Sequence, residues 1–156
     1  MLHNPTGQYI TIDGERFYCI DNYNHMQPFF ISLASDTDLW MYISSTGGLT
    51  CGRRNPEQVL FPYYTDDKIT EGNEHTGPKT LIRVNTDGGV VLWEPFSSRQ
   101  SGKYHIQRTI AKSVVGNKLL FSEENIDLGL VFSYEWAPAT NLGWVRTARL
   151  ENKADY

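Results

Sequence analysis

The sequence contains few cysteines and no long hydrophobic run. Cys19 and Cys51 are the two cysteines among 156 residues. Both fall in strand-like segments, so we interpret them as small buried hydrophobic residues. The first residues, MLHNPTGQYITIDG, include no apolar segment of the kind that defines a secretory signal peptide, and no run approaches membrane-spanning length. We therefore expect a soluble, cytoplasmic protein with no membrane partner.

Sequence motifs of common catalytic and cofactor sites are missing as well. There is no GxSxG, HExxH or Walker loop, and no strand–GxGxxG–helix unit. The histidines are far from one another and from the cysteines along the chain: His3, His25, His75 and His105. That spacing predicts no metal site. We predict that this chain has no catalytic residues, no metal and no cofactor of its own.

The charge balance argues against nucleic acid as a partner. The chain carries 14 Lys and Arg against 18 Asp and Glu, a formal net charge of −4. A protein that binds a nucleic-acid duplex is expected to present a basic stripe. No such stripe is found in the sequence, so we predict no nucleic-acid partner.

The chain is rich in aromatic residues and in alternating segments. Aromatic residues make up 13% of it, a good supply for sheet faces and for surfaces that stack on sugars. Apolar and polar residues alternate along most segments, as in strands with one packed face. Turn residues separate them, at Asp13-Gly14, Asp87-Gly88-Gly89 and Gly116-Asn117. The pattern predicts strands at Gln8–Ile12 and Glu15–Ile20, and an all-β antiparallel sandwich over residues 1–156.

The longest irregular segment runs from residue 55 to residue 78. Such segments are uncommon in compact domains and are often functional. Tyr63 and Tyr64 within it could stack on a sugar ring or meet a protein partner. Asp66 and Asp67 follow, and for this pair we favour loop solvation or local hydrogen bonding. Arg53 and Arg54 stand just before the segment, and we predict that these six residues contact carbohydrate or an interface.

Two other local patterns in the sequence have simple structural explanations. One helical turn could follow Pro56, but Pro62 interrupts it. Glu123 and Glu124 are adjacent, so on a strand they would point to opposite faces and could not serve one site. We interpret that pair as a solvated turn.

Gly47 and Gly48 raise a choice between a hairpin turn and an anion-binding cradle. Glycine supplies a positive φ without steric cost in a tight turn, and glycine-rich backbone can also face a phosphate. A phosphate cradle normally opens onto a helix N-terminus. The residues Leu49-Thr50-Cys51 have the character of a strand instead, so we predict a structural turn at Gly47-Gly48.

Several short motifs, in this order, resemble a known family. A strand ending in Ile-Ser-x-x-Gly-Gly contains Ile43 and Ser44 before the glycine pair. A later strand ends in the Trp-x-Pro of Trp93 and Pro95, and the last strand ends in the Leu-x-Asn of Leu150 and Asn152. Together they resemble the amino-terminal β-sandwich of the cellobiose and chitobiose phosphorylases (glycosyltransferase family 36, glycoside hydrolase family 94). Family members usually place an aromatic-Ser pair where Leu49-Thr50-Cys51 stands, which indicates a divergent branch.

The resemblance implies a fold and a larger enzyme. The fold is a β-supersandwich similar to that of galactose mutarotase, here incomplete. In the family, a helical (α/α)6 barrel downstream performs phosphorolysis with inorganic phosphate as co-substrate. The chain would then be a non-catalytic amino-terminal domain, whose partners are an oligosaccharide or the catalytic domain. Missing strands would leave open sheet edges, which tend to pair with a second copy, so we expect a homo-oligomer.

Two other functions stay open on the sequence alone. The aromatic content and the Tyr63-Tyr64 pair are compatible with an independent carbohydrate-binding module. A sugar epimerase of mutarotase type would need a histidine and a carboxylate converging on one ring. His75 or His105 would then have to meet Glu71, Glu74 or Glu135, and no motif favours that arrangement.

Overall fold

The computed structural model describes residues 4–61, 65–75 and 77–153 of the chain. Tyr63 and Tyr64 lie outside the described residues. Eleven strands and one short helix occupy the described ranges: β1 Thr6–Ile12, β2 Glu15–Asp21, β3 Phe30–Leu33, β4 Leu39–Ser44, β5 Leu49–Arg53, α1 Asp66–Glu71, β6 Ile82–Thr86, β7 Gly89–Trp93, β8 Ile106–Ser113, β9 Leu119–Asn125, β10 Leu130–Ala139 and β11 Gly143–Asn152.

The strands form two facing sheets and a separate hairpin. The larger sheet has the strand order β1-β2-β8-β9-β10-β11, the smaller sheet has the order β3-β4-β5, and β6 pairs with β7. Every pairing is antiparallel. The prediction of an all-β, antiparallel sandwich-like fold is therefore confirmed. Strands β1 and β11 form the two edges of the larger sheet.

The predicted hairpin turns lie close to their expected places. Asp13 and Gly14 join β1 to β2, and both have positive φ, 49° and 82°, as a tight two-residue hairpin turn requires. Asp87 and Gly88 join β6 to β7, while Gly89 is already the first residue of β7. The first hairpin is also longer than predicted, since β1 begins at Thr6 and β2 ends at Asp21.

The core lies between the two sheets. Alternate residues of β9 and β10 point inward from the larger sheet, and alternate residues of β4 point inward from the smaller one. Phe121 and Tyr134 stack with ring centroids 4.9 Å apart, and Met41 and Ile43 are fully buried opposite them. Burying a side chain of this size contributes about 1.5–3 kcal/mol, so this shared core holds the two sheets together.

The cysteines are buried and unpaired, as expected. Cys51 belongs to the main core, and Cys19 belongs to a smaller cluster with Phe17 and Ala111. Burial raises the pKa of both thiols to about 11, assisted at Cys19 by the carboxylate of Asp21. The prediction that they act as small hydrophobic residues is confirmed.

The irregular segment differs from its prediction. No helical turn follows Pro56, because residues 56 and 57 form a turn and Val59 bridges back to Gly52. The helix instead begins at Asp66, and its Ile69 is fully buried. Within the described ranges, no helix has the length and apolar character needed to cross a membrane.

Candidate functional site

The outer face of the smaller sheet carries a row of aromatic side chains. Alternation along β3 and β4 sends Ile31 and Met41 into the core, so Phe30, Trp40 and Tyr42 face outward. The rings of Phe30 and Tyr42 lie 5.5 Å apart with an interplanar angle of 17°, and those of Trp40 and Tyr42 lie 5.7 Å apart. Phe30 is 43% exposed and Tyr42 is 37% exposed. We call these three residues the aromatic row.

A glycine on the neighbouring strand allows the Trp40 ring to lie close to the sheet. Gly52 is the direct partner of Trp40 in the β4–β5 ladder. A Cβ at Gly52 would come within 2.5 Å of the indole ring and 2.6 Å of the carbonyl oxygen of Gln58. Both distances are shorter than any real contact allows. The conformation of the row therefore depends on a residue without a side chain at this position.

A charged cluster lies at the Leu39 end of β4. The Nη1 atom of Arg53 donates to Asp38 at 3.0 Å, and Nε of Arg54 donates to the other carboxylate oxygen at 3.4 Å. Arg53 pairs with the buried Leu39 in the ladder, so its side chain points to the inward face of the sheet, opposite to the face of the aromatic row. Arg54 holds a positive φ of 55°, which non-glycine residues rarely adopt. Two guanidinium groups share one carboxylate here, which leaves an excess of positive charge.

Of the six predicted contact residues, the structure describes the side chains of Arg53, Arg54 and Asp67. Tyr63 and Tyr64, as well as the side chain of Asp66, lie outside the described residues. Asp67 belongs to the first turn of α1 and accepts a hydrogen bond from the Thr65 hydroxyl, which holds the pKa of Asp67 below its ordinary value. Helix α1 packs against the Ser44 end of β4 through Thr70, 3.2 Å from the Ser44 hydroxyl. The arginine cluster lies at the opposite end of that strand.

The glycine pair connects β4 to β5. The N–H of Gly47 donates to the carbonyl of Ser44, and the N–H of Ser44 donates to the carbonyl of Gly48, each at 2.8 Å. Gly47 has a φ of 94°, which glycine adopts without strain. Because the Gly47 N–H is already used inside the turn, it is not available to hold an anion. The geometry is that of a hairpin turn.

A buried ion pair between Glu123 and Arg108 lies in the second candidate region, at the start of β8. Glu123 is 1% exposed, and its carboxylate accepts three hydrogen bonds. They come from Trp93 Nε1 at 3.0 Å, the backbone N–H of Phe96 at 2.7 Å and Arg108 Nε at 2.7 Å. Phe96 has a φ of 65°, so this carboxylate also holds a strained backbone position. The solvated turn predicted for Glu123 and Glu124 is therefore wrong: both belong to β9, and one of them is buried.

Glu74 ties the irregular segment to the loop after β7. It accepts hydrogen bonds from the backbone N–H of Ser98 at 3.0 Å and from its hydroxyl at 2.7 Å. Lys79 and Arg99 lie 3.3 and 3.4 Å from the same carboxylate. Partial burial would raise its pKa, but the Ser98 hydrogen bonds and the charge of Lys79 outweigh it and lower the pKa of Glu74 to about 2. A carboxylate this acidic and this fully bonded is a weak general base.

His105 bonds to a carboxylate outside the set that an epimerase would need. His105 bonds through Nδ1 to Asp127 at 2.9 Å, and its side chain is 86% exposed. Glu74 is engaged with Ser98, as described above, and partial burial raises the pKa of Glu135 on β10. No group of three or more His, Cys, Asp or Glu residues that could hold a metal occurs among the described residues.

Sequence reasoning did not identify the aromatic row, Arg108 or Glu123. One signal was present for the acid: Glu123 follows Leu119 and Phe121 at a spacing of two, which puts all three on the inward face of β9. The row also had a signal, since Trp40 and Tyr42 are two residues apart. Nothing in the sequence indicated that Phe30 would join them from the adjacent strand.

The chain matches no protein-family model and no curated protein. The likeness to the amino-terminal sandwich of the disaccharide phosphorylases therefore stays a prediction from short motifs. Function has to be argued from the two regions described above.

Proposed function

We propose that this chain is a non-catalytic carbohydrate-binding β-sandwich domain that serves a larger carbohydrate-active enzyme. The observation that supports it is the aromatic row of Phe30, Trp40 and Tyr42. One face of a pyranose ring presents C–H groups, which pack against aromatic rings, while its hydroxyls reach the polar groups alongside. Exposed apolar patches with a polar rim are characteristic of interaction sites. Three contiguous rings offer room for more than one sugar unit.

Arg54 supplies the polar rim. It follows Gly52, the ladder partner of Trp40, by two residues, and its Nε donates a hydrogen bond to Asp38. Arg54 is the more exposed of the two arginines, so its remaining N–H groups can reach sugar hydroxyls beside the ring surface. This arrangement offers both donors and acceptors to a carbohydrate chain that lies along the row.

The non-catalytic assignment is supported by how the titratable groups are used. The Glu123 carboxylate accepts hydrogen bonds from three donors within the protein. Glu74 is bonded to Ser98 and Lys79, and the ring of His105 is bonded to Asp127. Catalysis by an acid–base pair requires two such groups to face one substrate bond. A mutarotation assay with the isolated chain is expected to show no rate above buffer, and a clear rate would overturn this part of the proposal.

The binding test compares two exposed tyrosines on different sheets. Tyr42→Ala removes the middle ring of the aromatic row. Tyr9→Ala removes a ring that is 59% exposed on β1 and packs against Tyr18. Calorimetric titration with cello- and chito-oligosaccharides is expected to give an affinity at least about tenfold weaker for Tyr42→Ala, from the loss of roughly 1.5–3 kcal/mol of ring contact. The affinity of Tyr9→Ala should match that of the parent chain.

The link to a larger enzyme is tested separately. A reading frame that continues past residue 156 into a helical barrel domain would support the accessory-domain role. A frame that stops there, combined with oligosaccharide binding by the chain itself, would favour an independent binding module.

The edge strand β11 favours a second role, which is contact with another protein surface. Leu150 lies directly opposite Phe132 in the β10–β11 ladder and so faces the same side of the sheet. Phe132 is buried, whereas Leu150 is 52% exposed. Light scattering over a range of concentrations tests whether copies pair here. A dimer that Leu150→Lys dissociates would support pairing through β11, and a monomer at every concentration would exclude a homo-oligomer.

A further inference from the structure

A cleft of about 710 Å³ lies at the start of β8. Its walls come from the 3-10 turn at Tyr23–His25, from the loop around Ser98–Gln100 and from β8 itself. A hollow of about 140 Å³ adjoins it and shares the residues Asn24, Ser98 and Arg108. The volume falls in the range of roughly 300–1,000 Å³ that is usual for small-molecule sites. None of the residues of the aromatic row lines either space.

The cleft is walled mainly by groups that form hydrogen bonds. Most of its lining side chains carry amides, hydroxyls or imidazoles, and the lining residues include one guanidinium and no carboxylate. The polar lining residues include Asn22, Asn24, Ser101, Tyr104, Gln107 and Arg108. Such a wall suits a polar ligand better than an apolar one. The single cation is already paired with Glu123, so the site has little net charge to attract an anion.

Arg108 supplies donors that are held in place. Its Nε bonds to Glu123, which is fixed in turn by Trp93 and by the Phe96 backbone. Within the described part of the chain, the two terminal nitrogens of Arg108 make no hydrogen bond. A guanidinium fork fixed in this way is pre-organised to donate two parallel hydrogen bonds.

Asn24 and His105 supply acceptors in the same cleft. The Oδ1 atom of Asn24 is shielded from solvent and receives no hydrogen bond from any described residue. A buried acceptor without a donor destabilises the protein, and a ligand hydroxyl would satisfy it. The neutral His105 ring carries its proton on Nδ1 when that atom donates to Asp127, so its Nε2 is left as an acceptor.

We infer that this cleft is a binding site for a small uncharged polyol, a molecule of monosaccharide size. Each hydroxyl group both donates and accepts a hydrogen bond. Neighbouring hydroxyls on one ring can therefore accept from the Arg108 fork and donate to Asn24 and His105. A carboxylate or phosphate would satisfy the arginine alone and leave the acceptors unpaired. The inference is independent of the aromatic row, since neither its residues nor its contacts are shared.

Nuclear magnetic resonance spectroscopy of the full chain tests the site. The Trp93 indole N–H shares the Glu123 carboxylate with Arg108, so its resonance reports on the cleft. The indole N–H of Trp136, which is buried on β10 and lines neither the cleft nor the hollow, serves as an internal control. Titration with glucose and with galactose is expected to shift the Trp93 resonance and those of residues 22–25 and 97–108, while the Trp136 resonance stays in place.

Two variants and their controls identify the contacts. Arg108→Lys keeps the charge but loses the fork, and Asn24→Ala removes the buried acceptor. Each is expected to weaken sugar binding by about tenfold, the effect of one lost polar contact. Arg149→Lys and Asn85→Ala, on exposed strand positions outside the cleft, should leave it unchanged. Thermal unfolding checks that each variant is folded.

The remaining outcomes would overturn the inference. Unchanged spectra with both sugars at saturating concentration would show that no polyol binds. Binding of glucuronate or inorganic phosphate without glucose or galactose would make this an anion site instead. Sugar binding that Asn24→Ala and Arg108→Lys both leave intact would place the ligand elsewhere.

Discussion

Replacing Glu123 by glutamine is expected to destabilise the fold strongly. The carboxylate accepts from Trp93, Phe96 and Arg108 at distances of 2.7–3.0 Å. Glutamine offers one acceptor oxygen, and its NH2 group must face one of the three donors. The change also leaves the Arg108 guanidinium, whose side chain is only 18% exposed, without its counter-charge. Breaking a buried pair in this way typically costs 3–5 kcal/mol, and the retained acceptor reduces that to about 2–4 kcal/mol.

The neighbouring glutamate provides a matched control. Glu124 is on the opposite face of β9, where Lys153 lies 3.1 Å from its carboxylate at the surface. Exposed ion pairs contribute less than about 1 kcal/mol, so Glu124→Gln should be nearly neutral. Urea unfolding at neutral pH, followed by tryptophan fluorescence, measures both variants. Equal stabilities, within about 0.5 kcal/mol, would refute the claim that Glu123 organises this region.

Three further predictions follow from the other parts of the structure. The pKa of Glu74 is lowered to about 2 from 4.5. Its contribution to stability is therefore present above pH 4.5 and is lost as the pH falls from there towards 2. The free energy of unfolding should decrease less steeply with falling pH in Glu74→Gln than in the parent chain. Burial and a pKa of about 11 make Cys19 and Cys51 slow to react, so a thiol reagent should label both only after denaturation, and rapid labelling of the native chain would contradict their burial. Gly47→Ala forces a side chain into a positive φ and should lower the stability measured by thermal unfolding by about 1–2 kcal/mol. Gly48 has no positive φ, so Gly48→Ala should lower the stability less. Equal losses of stability would show that turn geometry is not the cause.

The fold was accessible from the sequence because its turns are local. Asp13-Gly14 and Gly116-Asn117 specify tight turns through a few residues that follow one another in the chain, and alternation marks the strands on either side. The helix at Asp66–Glu71 is not predicted, because it depends on a contact that is not local. Six residues carry too little periodicity to reveal it, and its position depends on Ile69 packing into the core.

The candidate site was less accessible, because it joins residues that are distant in sequence. The aromatic row needs the β3–β4 ladder to bring Phe30 to Tyr42, and the register of that ladder is a tertiary property. Arg53 and Arg54 are predicted contact residues, but their partner Asp38 comes from the loop before β4. Local patterns in one sequence give the face on which a side chain lies and leave its neighbour across the sheet undetermined.

The aromatic row is tested most directly by one ratio of dissociation constants. Calorimetric titration of Tyr42→Ala and Tyr9→Ala with the same cello-oligosaccharide compares a ring inside the row with an exposed ring on the other sheet. We predict that Tyr42→Ala binds at least about tenfold more weakly than Tyr9→Ala. Equal affinities, or no binding by the parent chain, would contradict the assignment of the row as a carbohydrate surface.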